Sequence, residues 1–263
     1  MTSHVHPDHD RLVHAVHDWF HGPYHAMGYH AEKRRWGTYW NIGQVYTPGV
    51  PAEHVQVFLA DVREYYGPRP VCINVDSREV DATLGPVLCA AGCAPDTTDI
   101  FLAHVGSVPH CAAPEGVTIE PVTASNLREF ADTRLKAFAN TEEPLPEEAV
   151  RDESAQRQAE LPGVGRGWLA RLQSEPAGII WWYDDPQDLW VLWLGVRLPF
   201  RRQGIGRWLL CTRLGEAYGR GCRSVMLNVR TENVEAMRLY HRLGFRDEIY
   251  WRQRYRLGNE RRG

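Results

Sequence analysis

The sequence predicts an α/β (α+β) protein in which a mixed, twisted sheet is flanked by helices. Amphipathic helical patterns alternate with short strand patterns rich in aromatic and β-branched residues along most of the chain. The segment from Leu189 to Leu194 is apolar on both alternations, which is typical of a central strand covered on both faces. That strand leads into a turn, residues 201–206, which bears two glycines and opens a helix.

The composition bounds the class of protein. The chain has 263 residues, enough for one large or two modest domains. A net charge of −3 argues against electrostatic nucleic-acid binding. No apolar run reaches the roughly twenty residues that span a bilayer, and the histidine-rich start does not resemble a signal peptide. The six cysteines show neither zinc spacing nor a secreted disulfide framework, so we expect reduced thiols in a cytoplasmic protein with no membrane or nucleic-acid partner.

Residues 1–112 are expected to form a first module, which is more acidic than the remainder of the chain. The periodicity predicts helices over residues 10–20, 52–65 and 80–91, strands over residues 36–46, 70–75 and 100–105, and a linker over residues 109–115. His14, His17 and His21 recur at three- and four-residue steps on the first helix. They either converge on a metal ion or form a solvated helix face; without a nearby cysteine or carboxylate ligand pattern we expect no metal.

Residues 113–263 are expected to form a second module. Helices are predicted over residues 127–138 (with Ser125 as N-cap), 147–161, 204–218 and 233–243, and strands over residues 117–121, 167–172, 177–183, 189–196, 224–229 and 245–257.

The turn at residues 201–207 has the chemistry of a pyrophosphate cradle. The amides at a helix start have no partner within the helix, and the helix dipole adds partial positive charge there. Gly204 and Gly206 permit close approach of a phosphate, while Arg201, Arg202 and Arg207 add fixed positive charge.

Two motifs in this module resemble the GNAT superfamily of acyl-CoA-dependent N-acyltransferases. The run Arg201-Arg202-Gln203-Gly204-Ile205-Gly206 matches the family pattern Q/R-x-x-G-x-G/A. A block downstream matches N-x-x-A-x-x-L-Y-x-x-x-G-F, through Asn233, Ala236, Leu239, Tyr240, Gly244 and Phe245. The order of predicted elements agrees, and the resemblance covers about residues 116–257.

The resemblance implies acetyl-CoA as the acyl donor, bound where strands 189–196 and 224–229 splay apart. It assigns Tyr240 as the catalytic general acid, which would protonate the leaving thiolate. Asn233 either reaches the cofactor or only satisfies its helix start. The implied cofactor-binding residues are Leu194, Gly195, Val196, Arg201, Arg202, Gln203, Gly204, Ile205, Gly206, Arg207, Asn233 and Ala236.

The general base is not identified by the resemblance. Family members often carry a carboxylate about fourteen residues before the first cradle glycine, and this chain has Trp190 there. Asp184, Asp185 and Asp188 act through a water or are turn residues. A cluster of four tryptophans forms core, or some of its members face the acceptor groove and favour an apolar or aromatic amine: Trp181, Trp182, Trp190 and Trp193.

The first module echoes the second. With Val45 aligned to Val196, the pair Tyr66-Gly67 matches Tyr218-Gly219, Ile73-Asn74-Val75 matches Leu227-Asn228-Val229, and Gly92 matches Gly244. The first module has Pro48-Gly49-Val50-Pro51 at the cradle, where prolines lack the N–H that a phosphate needs, and Leu88 where the catalytic tyrosine would stand. It is interpreted as a degenerate GNAT-like half with a structural role, or as a coincidence of two ordinary units.

The predicted function is acetyl-CoA-dependent transfer of an acetyl group to a primary amine on a small molecule or peptide. A non-catalytic acyl-CoA-binding sensor and a ligand-free scaffold are the alternatives, which Tyr240 and the intact cradle disfavour respectively. Family members often form dimers, and a homodimer is possible here. The acceptor is left open, because fold does not select it.

Overall fold

The computed structural model describes residues 11–12, 29–161, 165–184 and 187–258. The chain divides into two compact units that do not follow the chain in sequence. Unit 1 comprises Met1–Leu102, Val229–Met237 and Glu248–Gly263, and unit 2 comprises Ala103–Asn228 and Arg238–Asp247. The predicted division into modules at residues 112 and 113 stays a prediction.

Eleven strands and six α-helices lie in the described part of the chain. The strands are β1 (Ala31–Arg34), β2 (Gly37–Trp40), β3 (Gln44–Thr47), β4 (Val71–Val75), β5 (Ala94–His104), β6 (Val117–Pro121), β7 (Gly165–Leu172), β8 (Glu175–Asp184), β9 (Asp188–Val196), β10 (Ser224–Arg230) and β11 (Asp247–Leu257). The helices are α1 (Val55–Tyr66), α2 (Arg78–Ala90), α3 (Leu127–Ala139), α4 (Glu147–Glu160), α5 (Ile205–Gly219) and α6 (Val234–Arg242). Short 3-10 helices precede α1 (Ala52–His54) and α5 (Leu198–Phe200).

Unit 1 is built on strands in the order β1-β2-β3-β4-β11-β5. Strands β3 and β4 are parallel, and β11 pairs antiparallel with β4. The last strand of the chain is therefore part of the sheet of unit 1, and its Tyr255 and Leu257 side chains lie in the same apolar core as Phe58 and Ile73. Burial of this apolar surface is the main force that holds such a sheet and its helices together.

Unit 2 is built on strands in the order β10-β9-β8-β7-β6. Strands β9 and β10 are parallel, whereas the other neighbours are antiparallel. A core cluster that includes Phe130, Leu169, Ile179 and Trp181 joins α3 to β7 and β8. This packing places α3 on one face of the sheet that contains β9.

Several predicted elements differ from those of the structure. The strand predicted over residues 36–46 is two strands, β2 and β3, joined by a turn that holds Gly43 at φ 76°. Strand β1 was not predicted. Ser125 does not cap α3: Asn126 occupies the N-cap position, and its Oδ1 accepts a hydrogen bond from the Thr123 amide at 2.8 Å. Ser125 instead shares a hydrogen bond with the Thr123 hydroxyl.

The cysteines also differ from the expectation of reduced thiols. Cys111 and Cys211, both in unit 2, form a disulfide across 100 residues of sequence. Cys111 lies in the irregular segment before β6, and Cys211 lies in α5, so the disulfide ties this segment to the helix that begins at the predicted cradle. Within the described residues, no helix has the length and apolar character needed to cross a membrane.

Candidate acyl-CoA site

Strand β9 extends beyond the stretch in which it pairs with β10. The parallel ladder runs from Asp188, paired with Ser224, to Val191, paired with Leu227. Strand β9 then continues to Val196 and along this stretch stays paired with β8. Residues 192–196 are half-buried, whereas the paired residues 188–191 are buried. The edge of β9 that faced β10 is therefore open in its second half, as the splayed strands of the resemblance require.

A β-bulge marks the point where the opening begins. Trp182 lies opposite Val191 while its neighbour Trp181 lies opposite Trp193, so Leu192 is the extra residue on β9. A bulge of this kind bends a strand and ends regular pairing, and it is common beside functional sites.

The alternation of the antiparallel ladder sets the direction of the β9 peptide groups beyond the bulge. The Arg197 amide donates to the Ala177 carbonyl at 2.9 Å. Because hydrogen-bonded pairs alternate along an antiparallel ladder, the peptide groups of Leu194 and Val196 point away from β8. The structure thus directs the backbone groups of these two predicted site residues into the opening.

The turn after β9 has the backbone of an anion cradle. Arg202 and Gly204 adopt left-handed conformations, with φ of 66° and 83°. The first backbone hydrogen bond of α5 runs from the Trp208 amide to the Gly204 carbonyl. The amides of Ile205, Gly206 and the following Arg207 therefore point out of the helix start, where they and the helix dipole favour an anion.

Gly204 and Gly206 are required for different reasons. The positive φ of Gly204 strains any other residue. A Cβ on Gly206 would make only ordinary contacts, 3.4 Å from Val196 Cγ2 and 3.9 Å from Leu239 Cδ2. The packing of the protein therefore does not require a glycine at position 206, and the reason for a glycine there is the predicted close approach of a phosphate, which stays a prediction.

Arg201 supports the cradle through three hydrogen bonds. Its guanidinium donates to the carbonyls of Val196 and Ala137, both at 2.9 Å, and to Asn140 Oδ1 at 2.7 Å. Asn140 ends α3 in a left-handed conformation. Arg201 thus joins the end of α3 to the end of β9 while it keeps its charge beside the turn. The side chains of Arg202, Gln203 and Arg207 are exposed.

Tyr240 lies on α6. The residue before it, Leu239, is the one that approaches Gly206. Tyr240 is buried, with 7% of its surface exposed, and its ring lies 5.8 Å from that of Phe245. Burial raises the pKa of the Tyr240 hydroxyl to about 12. The phenol is therefore protonated at neutral pH, as a proton donor must be.

Asn233 and Ala236 are joined at the start of α6. The Asn233 side chain accepts a hydrogen bond from the Ala236 amide at 3.2 Å. This is an N-cap interaction, so the local role considered for Asn233 is present in the structure. A role of either residue toward acyl-CoA stays a prediction.

The acidic residues considered as the base lie at the paired end of β9. The Asp188 carboxylate accepts a hydrogen bond from the Ser224 hydroxyl, and Asp188 is buried. It lies three residues before the last pair with β10, which is roughly 10 Å along a strand. Its place and its partner favour a structural role. Asp185 and the Asp184 side chain lie outside the described residues, as do His14, His17 and His21.

The four tryptophans divide by burial. Trp181, Trp182 and Trp190 are fully buried, and Trp193 is half-buried. The core interpretation holds for the first three. Among the described residues, no group of three or more His, Cys, Asp or Glu side chains is arranged to hold a metal ion.

Sequence reasoning missed the residues of α3 that surround β9. A Cβ on Gly195 would lie 3.1 Å from both Ala137 and the Phe138 ring. The guanidinium carbon of Arg134 lies 4.1 Å from the ring centre of Trp193. The amphipathic pattern of α3 predicted a helix but gave no sign of which strand it would cover.

The corresponding part of unit 1 is closed. Val45 pairs with Ile73, and Thr47 pairs with Val75 at the end of both strands, so β3 and β4 leave no opening. The Gly49 amide donates to Thr47 Oγ1. Proline occupies positions 48 and 51, and the turn has no arginine.

Comparisons with known proteins bear on the family and on the fold. The family model described as the acetyltransferase (GNAT) family matches residues 128–245. The fold is similar to that of a GCN5-related N-acetyltransferase from Sphaerobacter thermophilus, with 20% identity, a TM-score of 0.61, and coverage of 87% of this chain and 75% of that chain. A GCN5-related N-acetyltransferase from Kribbella flavida has 22% identity, a TM-score of 0.58 and 82% coverage of both chains.

A tandem GNAT protein from the clavulanic acid biosynthesis pathway shares the fold with 13% identity and a TM-score of 0.59, over 84% of this chain and 77% of that chain. No curated protein matches the sequence significantly. Residues 128–245 are therefore a domain of the GNAT acetyltransferase family, in a chain whose fold is that of GNAT proteins, tandem ones included.

Proposed function

We propose that this chain is an acetyl-CoA-dependent N-acetyltransferase that moves an acetyl group directly to a primary amine. The observation that carries the proposal is the opening along β9 beyond Val191, which leads to the turn at the start of α5. The edge of β9 offers the Leu194 peptide group and the Val196 amide, and it is followed by a helix start suited to pyrophosphate. The buried phenol of Tyr240 lies on α6, whose Leu239 approaches Gly206.

The residues divide the work of binding. The peptide groups of Leu194 and Val196, on either side of Gly195, would pair with the pantetheine arm. The turn from Arg202 to Arg207, with Gln203, Gly204, Ile205 and Gly206, would hold the pyrophosphate, and Arg201 would keep the turn and β9 in register. Asn233 and Ala236 are part of the same proposal.

Acetyl-CoA would supply an acetyl thioester, which the neutral nitrogen of the acceptor attacks. The C–N bond forms and the C–S bond breaks, with its electron pair moving to sulfur. Tyr240, held in its protonated form by burial, donates to that sulfur as general acid. A proton from the new ammonium passes to solvent, the Tyr240 phenolate regains a proton from solvent, and the products are the N-acetylated amine and the free thiol of CoA.

The test measures thiol release from acetyl-CoA with a panel of amines, for the wild type and Tyr240→Phe. We expect turnover in the wild type and a kcat lowered by about 10²- to 10⁴-fold in the variant, with acetyl-CoA affinity nearly unchanged. Acetyl-CoA at about 100 times Kd should stabilise the fold by roughly 2.7 kcal/mol, which separates the possibilities. Stabilisation without turnover by any amine would favour a non-catalytic sensor, and no stabilisation at millimolar acetyl-CoA would refute both ligand-based functions.

A cytoplasmic location is part of the proposal, and the Cys111–Cys211 disulfide is the observation that stands against it, since structural disulfides are rare in that compartment. Counting thiols in protein prepared without reductant decides whether this disulfide forms.

A further inference from the structure

An exposed aromatic residue lies on the α3 side of β9, beside the proposed acyl-CoA site. One face of β9 packs on α5, as the contact between Val196 and Gly206 shows. On the other face Phe138 lies against Gly195, and 51% of Phe138 is nevertheless exposed. An acceptor that reaches the thioester from the α3 side would meet this ring.

Arg134 joins Phe138 to Trp193. Its guanidinium carbon lies 4.1 Å from the ring centre of Trp193 and 5.6 Å from that of Phe138. Trp193 is the half-buried tryptophan at the bulge. These three residues form a continuous surface, called here the aryl-cation patch (Arg134, Phe138 and Trp193), in which a guanidinium lies between two aromatic faces.

A buried ionic network holds the patch in place. Arg134 pairs with Glu153 at 3.0 Å, and Arg157 pairs with Glu153 at 3.1 Å and with Glu160 at 2.5 Å. The guanidinium carbon of Arg157 lies 4.4 Å from the Trp193 ring centre. Buried ion pairs add little net stability, because the charges lose their hydration, but they fix geometry. The patch is therefore pre-organised, which lowers the cost of binding.

The charge that an arriving ligand meets is positive. The Arg134 side chain is 19% exposed, whereas those of Glu153 and Glu160 are 9% and 3% exposed. The Arg134 Nε atom is buried and has no hydrogen-bond partner. The Arg134 guanidinium would repel a cationic group on the acceptor and attract a carboxylate.

Residues 189–196 of β9 include no carboxylate, which points to the same class of acceptor. The position where family members often carry a carboxylate is Trp190, which is fully buried. A protonated alkylamine must lose a proton before it can attack. An amine attached to an aromatic ring is neutral near pH 7, because its lone pair is delocalised into the ring, and it attacks without a base.

We propose, on the basis of the function proposed above, that the acceptor is an arylamine that bears a carboxylate. Its ring would pack on the exposed surface of Phe138, and its carboxylate would pair with Arg134, which lies between Phe138 and Trp193. The nitrogen attacks the thioester carbon, and the C–S electron pair moves to sulfur. Sulfur takes a proton from Tyr240, the nitrogen releases one proton to solvent, and the Tyr240 phenolate regains a proton from solvent.

The experiment compares kcat/KM for 3-aminobenzoate, aniline, benzylamine and spermidine, measured by thiol release from acetyl-CoA. We expect 3-aminobenzoate to exceed aniline by at least about tenfold and spermidine to be the poorest acceptor. Arg134→Gln should lower kcat/KM for 3-aminobenzoate by about 10- to 100-fold, as expected for the loss of a charged hydrogen bond, and lower it less for aniline, so that the ratio of the two values falls. Phe138→Ala, a change at an exposed position, should lower kcat/KM for both arylamines, 3-aminobenzoate and aniline.

Arg128→Gln is the matched control, because Arg128 is an exposed arginine of α3 that pairs with Glu147 outside the patch. An aminobenzoate-to-aniline ratio that is the same in the wild type and Arg134→Gln would overturn the proposal, as would a preference for spermidine. If Arg134→Gln does not fold, the ratio of kcat/KM for 3-aminobenzoate to that for aniline is measured in Arg134→Lys and Phe138→Ala instead. Calorimetry of 3-aminobenzoate binding to the CoA-saturated protein tests the patch without turnover. Absence of acetyl transfer to all four amines would refute the proposed enzyme, whereas absence of 3-aminobenzoate binding would refute the patch as an acceptor site.

Discussion

If Tyr240 donates to the leaving sulfur, the pH dependence of kcat/KM should carry its pKa. Burial raises that pKa to about 12, from an ordinary value of 10. At pH 10 a phenol with this pKa is still about 99% protonated, whereas an exposed tyrosine would be half ionised. The donor form is lost only as pH rises through the raised pKa, so we expect kcat/KM to show no tyrosine-dependent decline between pH 8 and pH 10.

The same pKa limits what the phenol can do. The thiol of the leaving group has a pKa of about 8.5, so complete proton transfer from a phenol at about 12 is uphill by about 5 kcal/mol. The stabilisation of the transition state is therefore that of the hydrogen bond from Tyr240 to sulfur before its proton is fully transferred, which is worth about 1.5–3 kcal/mol. This places the expected loss in Tyr240→Phe near 10²-fold, at the low end of the range for general acid catalysis.

The assay is steady-state kcat/KM for acetyl-CoA from pH 7 to pH 10.5, for the wild type, Tyr240→Phe and the control Tyr65→Phe in α1. A decline in the wild type with an apparent pKa of 8–9 that is absent from Tyr240→Phe would refute the argument from burial. Equal activity of Tyr240→Phe and the wild type would refute the catalytic role itself. Tyr65→Phe should follow the wild type throughout.

Three further predictions concern the cradle, the last strand and the disulfide. Gly206→Val should raise the Kd for acetyl-CoA at least about tenfold by blocking close approach, while Gly215→Val on the same helix, where a Cβ meets nothing within 4 Å, leaves it unchanged in calorimetry. Leu257→Ala should lower the free energy of unfolding by about 2–5 kcal/mol in urea titrations, because Leu257 is in the unit 1 core; cooperative folding of residues 1–112 alone would contradict this role of β11. Protein unfolded without reductant should titrate four thiols, since Cys111 and Cys211 are joined; six would show that the disulfide does not form.

The elements with strong local signals could be predicted from sequence. Helix α5 has a glycine-bearing start and a regular apolar face, and its predicted and observed bounds differ by one residue at each end. Strand β5 begins at Ala94, six residues before the predicted start. The prediction missed these six residues because Pro95, Asp96 and Asp99 disfavour strands. Pairing with a neighbouring strand outweighs that local preference. No local pattern could have indicated it.

The geometry of the site depends on register, which sequence does not determine. The glycines, arginines and Tyr240 could be identified as a set from their spacing. The bulge that places Leu192 and Trp193 together exists only in relation to β8, and the end of pairing at Val191 only in relation to β10. The contact of α3 with Gly195 depends in turn on how the helix packs. The acceptor side of the site was therefore hidden until the fold was known.

The closed turn of unit 1 predicts a single acyl-CoA site per chain. Three obstacles are independent: the β3–β4 ladder persists to Thr47 and Val75, the Gly49 amide is bonded to Thr47, and proline stands at positions 48 and 51. Replacing the four residues 48–51 with an arginine- and glycine-rich turn would remove the last obstacle and leave the ladder closed. We therefore expect calorimetry to give one acetyl-CoA per chain in the wild type and in this turn variant. Two sites in the wild type would refute the interpretation of the first module as a half that has lost its site, whereas a second site in the turn variant alone would show that the closed ladder is not an obstacle.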